Sequence, residues 1–293
     1  MSEPLDLSIA FRVGARTIAS IRRRLVRVAV PLDQAIAGRT PILPPLPRAA
    51  DGYSLLSCPT AAVAGLDAGG LIVAERQRYR RWYADLTLGW DAYQAGLSGN
   101  LRSTLKRKGK KIAEGSGGRI DVRRYRTPDE MAAFHAVARP LAAATYQERL
   151  LGMGLPGDPE WVAAMLARAV DGNARGWLLY IGDAPAAYLF CPVVAGTVIY
   201  EFVGHDAAFD ALSPGTVLMA AALRDLMDEA VHARFDFTEG EGQHKRQFAT
   251  GHVECCDLFV LRPTLVNRAA MTALHGFDGM VARIKRLRAR LRP

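Results

Sequence analysis

Residues 176–203 read GWLLYIGDAPAAYLFCPVVAGTVIYEFV, and their punctuation decides the fold. Three apolar runs, Gly176–Ile181, Pro185–Val193 and Thr197–Val203, are separated by Gly182-Asp183 and Ala195-Gly196. Such dipeptides close tight turns between strands, so the spacing predicts a three-stranded meander. The longest uncharged stretch, Ala184–Tyr200, is broken by Pro185, Pro192 and Gly196. It is shorter than the ~20 apolar residues a spanning helix needs, and it reads as buried strand.

Downstream, a loop over Gly204–Pro214 leads to a helix from Gly215 to about Ala230, with Val217, Leu218, Ala221, Leu226 and Met227 on its buried face. Arg234–Phe237 is a short strand, Thr238–Gly251 a polar segment and His252–Arg262 the last strand. From Thr264 a basic amphipathic helix carries Met271, Leu274, Phe277, Met280, Val281, Ile284 and Leu287 on one face. Upstream, Ile120–Tyr125 reads as a strand, and Thr127 with Glu130 forms a capping box before a helix with Met131, Phe134, Val137 and Ala138 inward. Another helix follows over Pro159–Val170. Ser98 caps a very basic helix with a thin stripe of Leu101, Leu105 and Ile112, ended by Gly115–Gly118. Before it lie strand candidates at Leu25–Val30, Tyr53–Ser57 and Tyr79–Leu86, and a stiff loop at Pro41, Pro44, Pro45 and Pro47.

The 293 residues, 50% hydrophobic and 23% charged, suffice for a full core. Disorder, collagen and a small disulfide scaffold are excluded. The net charge of +9 is uneven. Residues 12–27 hold six Arg and no acid, 98–119 seven bases against Glu114, and 283–292 six bases and no acid. The rest of the chain is net acidic, so the pattern is an acidic body with basic patches, suited to phosphate-bearing partners. Cys58, Cys191, Cys255 and Cys256 show no metal-ligand spacing, and no metal is expected. Reduced thiols and the absence of a basic-then-apolar leader at Met1–Pro4 point to the cytoplasm, with the protein resting peripherally on the inner membrane as an extension of that reading.

Three segments resemble a bacterial subfamily of GNAT-like N-acyltransferases. That subfamily is associated with cellulose and exopolysaccharide biosynthesis and is related to the FemAB aminoacyl transferases. Ser98-Gly99-Asn100-Leu101-Arg102-Ser103-Thr104-Leu105-Lys106-Arg107-Lys108 looks like its Ser-x-x-x-Arg-x-x-x-Arg/Lys-Arg helix. Ser213-Pro214-Gly215-Thr216 looks like the Pro-Gly opening its cofactor helix. Phe235-Asp236-Phe237-Thr238-Glu239-Gly240-Glu241-Gly242-Gln243-His244-Lys245-Arg246-Gln247-Phe248 looks like its Phe-Asp-Phe-x-x-Gly-x-x-x-Tyr/His-Lys-x-x-Phe signature. The resemblance covers roughly 98–262, while the usual Gln/Arg-x-x-Gly-x-Gly/Ala loop is absent. It implies an α+β, GNAT-like acyl-CoA N-acyltransferase fold: a mixed twisted sheet flanked by helices, in which a β-bulge splays two strands around an acyl-CoA. Residues 1–97 would be an N-terminal extension with strands, 98–263 the acyltransferase domain and 264–293 the amphipathic tail.

The site residues follow. Pro214 at a first helical turn costs no hydrogen bond, so the N–H groups of Gly215, Thr216 and Val217 would face outward beside Ser213. The positive end of the macrodipole there can hold a pyrophosphate; the plain alternative is an ordinary helix start. Glu201 is a carboxylate in an apolar run, suited to a general base if burial raises its pKa; alternation pointing it to solvent is the other reading. Asp236, Glu239, His244 and Lys245 complete the catalytic candidates, Asp236 as a second base and His244 or Lys245 assisting the leaving thiolate. Tyr146 and Gln147 follow a helix where an acceptor could enter, although core packing also suits Tyr146. Arg102 and Lys106 on the basic helix are further substrate candidates. No aromatic lies between Ser98 and Lys111, which argues against nucleic acid and for an anionic membrane surface. The resemblance implies acyl-CoA (acetyl or long-chain) as co-substrate and an amine on a lipid or envelope molecule as acceptor, a sphingoid base giving ceramide being the extreme case. FemAB-like transfer from aminoacyl-tRNA and a non-catalytic envelope-binding module are the alternatives.

Overall fold

The computed structural model describes residues 3–13, 16–144, 154–240 and 242–290. The chain forms two compact units, one of residues 1–80 with 253–293 and one of residues 81–252. The fold is mixed α+β, with a twisted mixed sheet and flanking helices.

The first unit opens with a hairpin of β1 (Leu5–Val13) and β2 (Arg16–Ala29), paired from Leu5↔Leu25 to Val13↔Arg16. Sequence reading catches only the end of this hairpin, because six arginines mask its alternation. A short helix α1 (Leu32–Ile36) and β3 (Gly52–Pro59) follow, and β2 and β3 run parallel. Strand β4 (Ile72–Asp85) carries the chain into the second unit.

The second unit continues with α2 (Trp90–Gly96), α3 (Gly99–Glu114), β5 (Asp121–Tyr125), α4 (Pro128–Ala143) and α5 (Pro159–Val170). The expected caps are present: the Ser98 hydroxyl accepts from the Leu101 N–H at 3.2 Å, and Thr127 and Glu130 close a capping box. The meander is β6 (Ala174–Ile181), β7 (Ala184–Val194) and a third strand split into β8 (Thr197–Ile199) and β9 (Phe202–His205). Helix α6 (Pro214–Glu229), β10 (Arg234–Asp236) and α7 (Gln243–Phe248) complete the unit; α7 lies where the sequence suggests only a polar segment. In this unit the strand order is β4-β10-β8-β7-β6-β5, with β8 parallel to β10 and β9 on β7. Neighbours along a strand point to opposite faces. Trp177, Leu179, Leu189 and Cys191 therefore meet Leu218, Ala222, Leu223 and Leu226 of α6, while Leu178, Tyr180, Tyr188 and Phe190 meet Met131 and Phe134 of α4 and Met165 of α5. Two apolar faces explain why these strands read as unbroken apolar runs.

The chain returns to the first unit through β11 (Gly251–Leu261), antiparallel to β3, and ends in α8 (Leu265–Arg290). Ala270, Met271 and Leu274 of α8 pack on Ile9, Phe11 and Leu25. Of the predicted apolar face, Met271 and Leu274 are thus spent on the unit's own sheet with Phe277 partly buried beside them, Met280 is left 51% exposed, and the side chains of Ile284 and Leu287 lie outside the described residues. The opposite face buries Tyr53, Leu55 and the thiols Cys58, Cys255 and Cys256. Among the described residues, no helix is long and apolar enough to cross a membrane.

Candidate active site

The third meander strand breaks for a reason visible in its register. Val198 faces Val193, and Phe202 faces Phe190, so four steps on one strand answer three on the other. One extra residue is a β-bulge, which bends its strand and re-aims side chains. On the other edge β8 is held by β10, and the Tyr200 N–H donates to the Asp236 carbonyl at 2.9 Å. Beyond that point the strands part: the Phe237 N–H turns to the Trp82 carbonyl at 3.0 Å, while β9 stays on β7. The Asp206 N–H donates to Ala186, which makes Phe202, Gly204 and Asp206 the residues bonded to β7. By antiparallel alternation Val203 and His205 turn their backbone groups to the open edge.

A cleft of about 690 Å³ opens there. Its walls are Tyr200, Val203, Gly204 and His205 of the split strand, Ser213, Gly215, Thr216 and Met219 at the start of α6, and His244 and Phe248 of α7. Such a volume, apolar walls and a few convergent polar groups suit a small-molecule site. Ser213 adopts the left-handed region, φ 52°, and opens α6 without a side-chain cap. A Cβ on Gly215 would lie 3.9 Å from His205 Nδ1, so the missing side chain faces the cleft. The free-amide expectation needs correction. The Ser213 carbonyl accepts from the Thr216 N–H at 3.1 Å and from the Val217 N–H at 3.3 Å. A tight first turn thus commits two of the three amides, and the Val217 side chain is in the core with Pro214.

The catalytic candidates separate. Asp236 is 1% exposed and grips Arg81, whose guanidinium donates to both its oxygens, at 3.2 Å to Oδ1 and 2.5 Å to Oδ2. Its Oδ1 also accepts from the Thr238 N–H at 2.8 Å. The reading of Asp236 as a base therefore gives way to a positioning role, since both oxygens are engaged. Glu201 sits on the bulge, exposed at the surface and outside the cleft lining. Desolvation by the surrounding protein pushes its pKa up, and Arg168 of α5 pulls it back. His244 lines the cleft with Nε2 3.3 Å from the Tyr200 hydroxyl. Burial, then the Lys245 charge, lowers its pKa. The Lys245 ammonium donates to the Glu239 carbonyl at 2.5 Å and lies 5.8 Å from the Tyr200 ring centroid. Burial lowers the Lys245 pKa, against the pull of Glu239 and Asp236. Glu239 is exposed and contributes its backbone.

Arg102 and Lys106 are exposed on α3 and do not line the cleft; the Arg102 guanidinium donates to the Ala95 carbonyl at 2.9 Å. Tyr146 and Gln147 lie outside the described residues. Sequence reading missed Tyr200, Arg81 and a dyad of His205 and Asp210, Nε2 to Oδ1 at 2.7 Å, on the cleft wall. The Gly204-His205 step after an apolar strand was the available signal for the dyad.

A family model described as an acetyltransferase (GNAT) domain matches residues 99–246, just over half of the chain. The chain belongs to the GNAT acetyltransferase family. The GNAT domain match takes in the bulge, the start of α6 and the His244-Lys245 pair. Among solved structures, the chain is similar to FemX, with 9% identity, 92% of this chain and 91% of that one covered, and a TM-score of 0.58. It is similar to the C-terminal domain of a putative lysylphosphatidylglycerol synthetase from Agrobacterium fabrum, with 10% identity, 78% and 71% covered and a TM-score of 0.53. A conserved protein of unknown function from Bacteroides thetaiotaomicron VPI-5482 gives 13% identity, 71% and 70% covered and a TM-score of 0.50. At these identities the likeness is one of fold. No curated protein matches the chain.

Proposed function

We propose that this GNAT protein is an N-acyltransferase that moves an acyl group from a coenzyme A thioester to the amine of a lipid or cell-envelope molecule. The observation that carries the reading is the bulge at Ile199–Glu201, which opens a cleft beside the uncapped start of α6. The residues fit a diphosphate-bearing thioester: Gly215 leaves room for close approach, and the helix end supplies positive potential. Ser213, Gly215 and Thr216 would border that group, and Val203 and His205 would offer backbone N–H groups to the acyl carbonyl as charge develops on it.

Glu201 takes a proton from the acceptor ammonium. The free amine then forms a C–N bond at the thioester carbonyl and the C–S bond breaks; the departing thiolate takes a proton from Lys245 or from the Tyr200–His244 pair, the second proton shed by the nitrogen replaces it there, and Glu201 releases its own proton to solvent. Apolar walls from Val203, Met219 and Phe248 are compatible with an acyl chain longer than acetyl, and a sphingoid base, giving a ceramide, is the lipid acceptor to try first. The subfamily associated with exopolysaccharide biosynthesis remains the family reading of the 235–248 signature.

Calorimetry with acetyl- and palmitoyl-coenzyme A tests the donor; saturable heat is expected with at least one, and none with either would remove the proposal. Incubation with labelled acyl-CoA and sphinganine tests the acceptor. A second reading, aminoacyl transfer of the FemAB kind, is supported by a likeness to FemX that extends over 92% of the chain. Retention of charged tRNA without coenzyme A binding would select it.

A further inference from the structure

The two units differ in charge. The first holds 19 basic and 9 acidic residues, a net +10, and the second 19 and 20, a net −1. The first unit also exposes aliphatic surface on one element. Helix α8 buries Asn267, Ala270, Met271 and Leu274 against the unit's sheet. Its outward side has two flanks. One is apolar, with Leu265 86% and Val266 63% exposed and Ala269, Ala273 and Met280 in line with them. The other carries Arg268 and His275, both exposed, and Arg283 is exposed at the far end of the line begun by Leu265. The apolar flank meets Ile21 and Arg23 of β2 along an open groove of about 700 Å³. On β2 the side chains alternate: Ile21, Arg23 and Leu25 face α8, Arg27 is exposed on that same side, and Arg22 and Arg24 turn to the other face of the sheet.

We propose that this face of α8 and β2 docks on an anionic lipid bilayer. Aliphatic side chains beside a basic flank are what an interfacial helix presents, burying one flank at the headgroup boundary while the other meets anionic lipid. At 26 residues the helix is about 39 Å long at 1.5 Å per residue, enough to lie along the surface. A second copy of the chain is the poorer occupant, since pairing two such faces brings +10 against +10. The groove is shallow and lined by alanines, which suits fluid acyl chains better than a protein side chain seeking a pocket. The inference stands apart from the reaction proposed above, and its test requires no turnover.

The full chain is floated with phosphatidylcholine vesicles, with and without phosphatidylglycerol. Flotation is expected with the anionic vesicles, and raised salt should weaken it. The pair Leu265→Glu with Val266→Glu, and separately Arg268→Glu with Arg283→Glu, should each lower partitioning about tenfold or more. Arg39→Glu with Arg48→Glu, the same charge change away from α8 and β2, should leave it unchanged. All six side chains are exposed, so melting curves should superimpose and separate lost docking from lost fold. Equal flotation with neutral vesicles, none with either kind, or wild-type partitioning in either α8 pair would overturn the proposal. So would a dimer in light scattering that Leu265→Glu dissociates while vesicles bind nothing.

Discussion

Both units wrap helices on a sheet, yet they handle charge in opposite ways. The unit of residues 81–252 holds ion pairs below its surface, besides exposed ones such as Arg224–Asp228. Arg81 meets Asp236 with side chains 9% and 1% exposed, and Arg126 and Arg175 meet Asp225 and Glu229 across α6. The other unit keeps ion pairs such as Arg78–Glu75 and Arg80–Glu254 at the surface and leaves many arginines in excess. Its buried carboxylate, Asp257, is held by neutral donors: the Ser57 N–H, the Tyr79 hydroxyl and the Gln77 amide. In one unit charge fixes geometry beside a cleft; in the other it builds a field. Exposed pairs gain little because water screens them, whereas a buried pair stripped of one partner leaves an uncompensated charge.

The largest effect should come from breaking that contrast at Arg81. Arg81→Met strands Asp236 in the interior and should cost about 3–5 kcal/mol, read from urea unfolding. Arg78→Met, which opens the exposed pair, should leave the midpoint where it was. Asp236→Asn sharpens the point. If Asp236 positions the strand, the variant loses stability first and keeps turnover in proportion to its folded fraction; full stability with abolished turnover would restore Asp236 as the base.

Next comes Glu201, the candidate base beside Arg168. Glu201→Gln should lower kcat by about 10²- to 10⁴-fold, the range for losing a general acid or base, with melting unchanged. A base works deprotonated, so the rate rises with pH through its pKa. Because desolvation raises the Glu201 pKa, the acidic limb of kcat/KM should lie above the ordinary carboxylate range. Arg168→Ala removes the opposing pull and should move that limb higher still. An acidic limb in the ordinary range, or one that survives Glu201→Gln, would place the base elsewhere.

How much of this could be read in advance divides along the same line. Caps and turns are local, and Ser98, Thr127 with Glu130, Gly182-Asp183 and Ala195-Gly196 gave their elements to within a few residues. The bulge was legible only through family resemblance, because nothing in Thr197–Val203 marks one residue as extra; the register is set by β7 and β10 on either side. Asp236 looked catalytic for the same reason. Its partner Arg81 lies 155 positions away, and no pattern within a strand announces an ion pair of that span. The second apolar flank of α8 stayed hidden because alanines at 269 and 273 carry little hydrophobic signal until β2 is seen beside them.

The smallest effects concern two glycines on the cleft wall, and they separate fold from chemistry. A Cβ at Gly204 would fall 2.5 Å from Tyr188 Cε1, and Tyr188 is 1% exposed. Neither that ring nor the β7-bonded backbone can give way cheaply, so Gly204→Ala should cost about 1–3 kcal/mol by overpacking. Gly215→Ala meets nothing nearer than 3.9 Å and should melt like the parent. Its methyl group would occupy the approach to the first turn of α6. If that turn holds the donor's diphosphate, the KM for a coenzyme A thioester should rise while kcat holds. An unchanged KM in Gly215→Ala would move the diphosphate away from α6, and with it the reason for reading the cleft as the donor side.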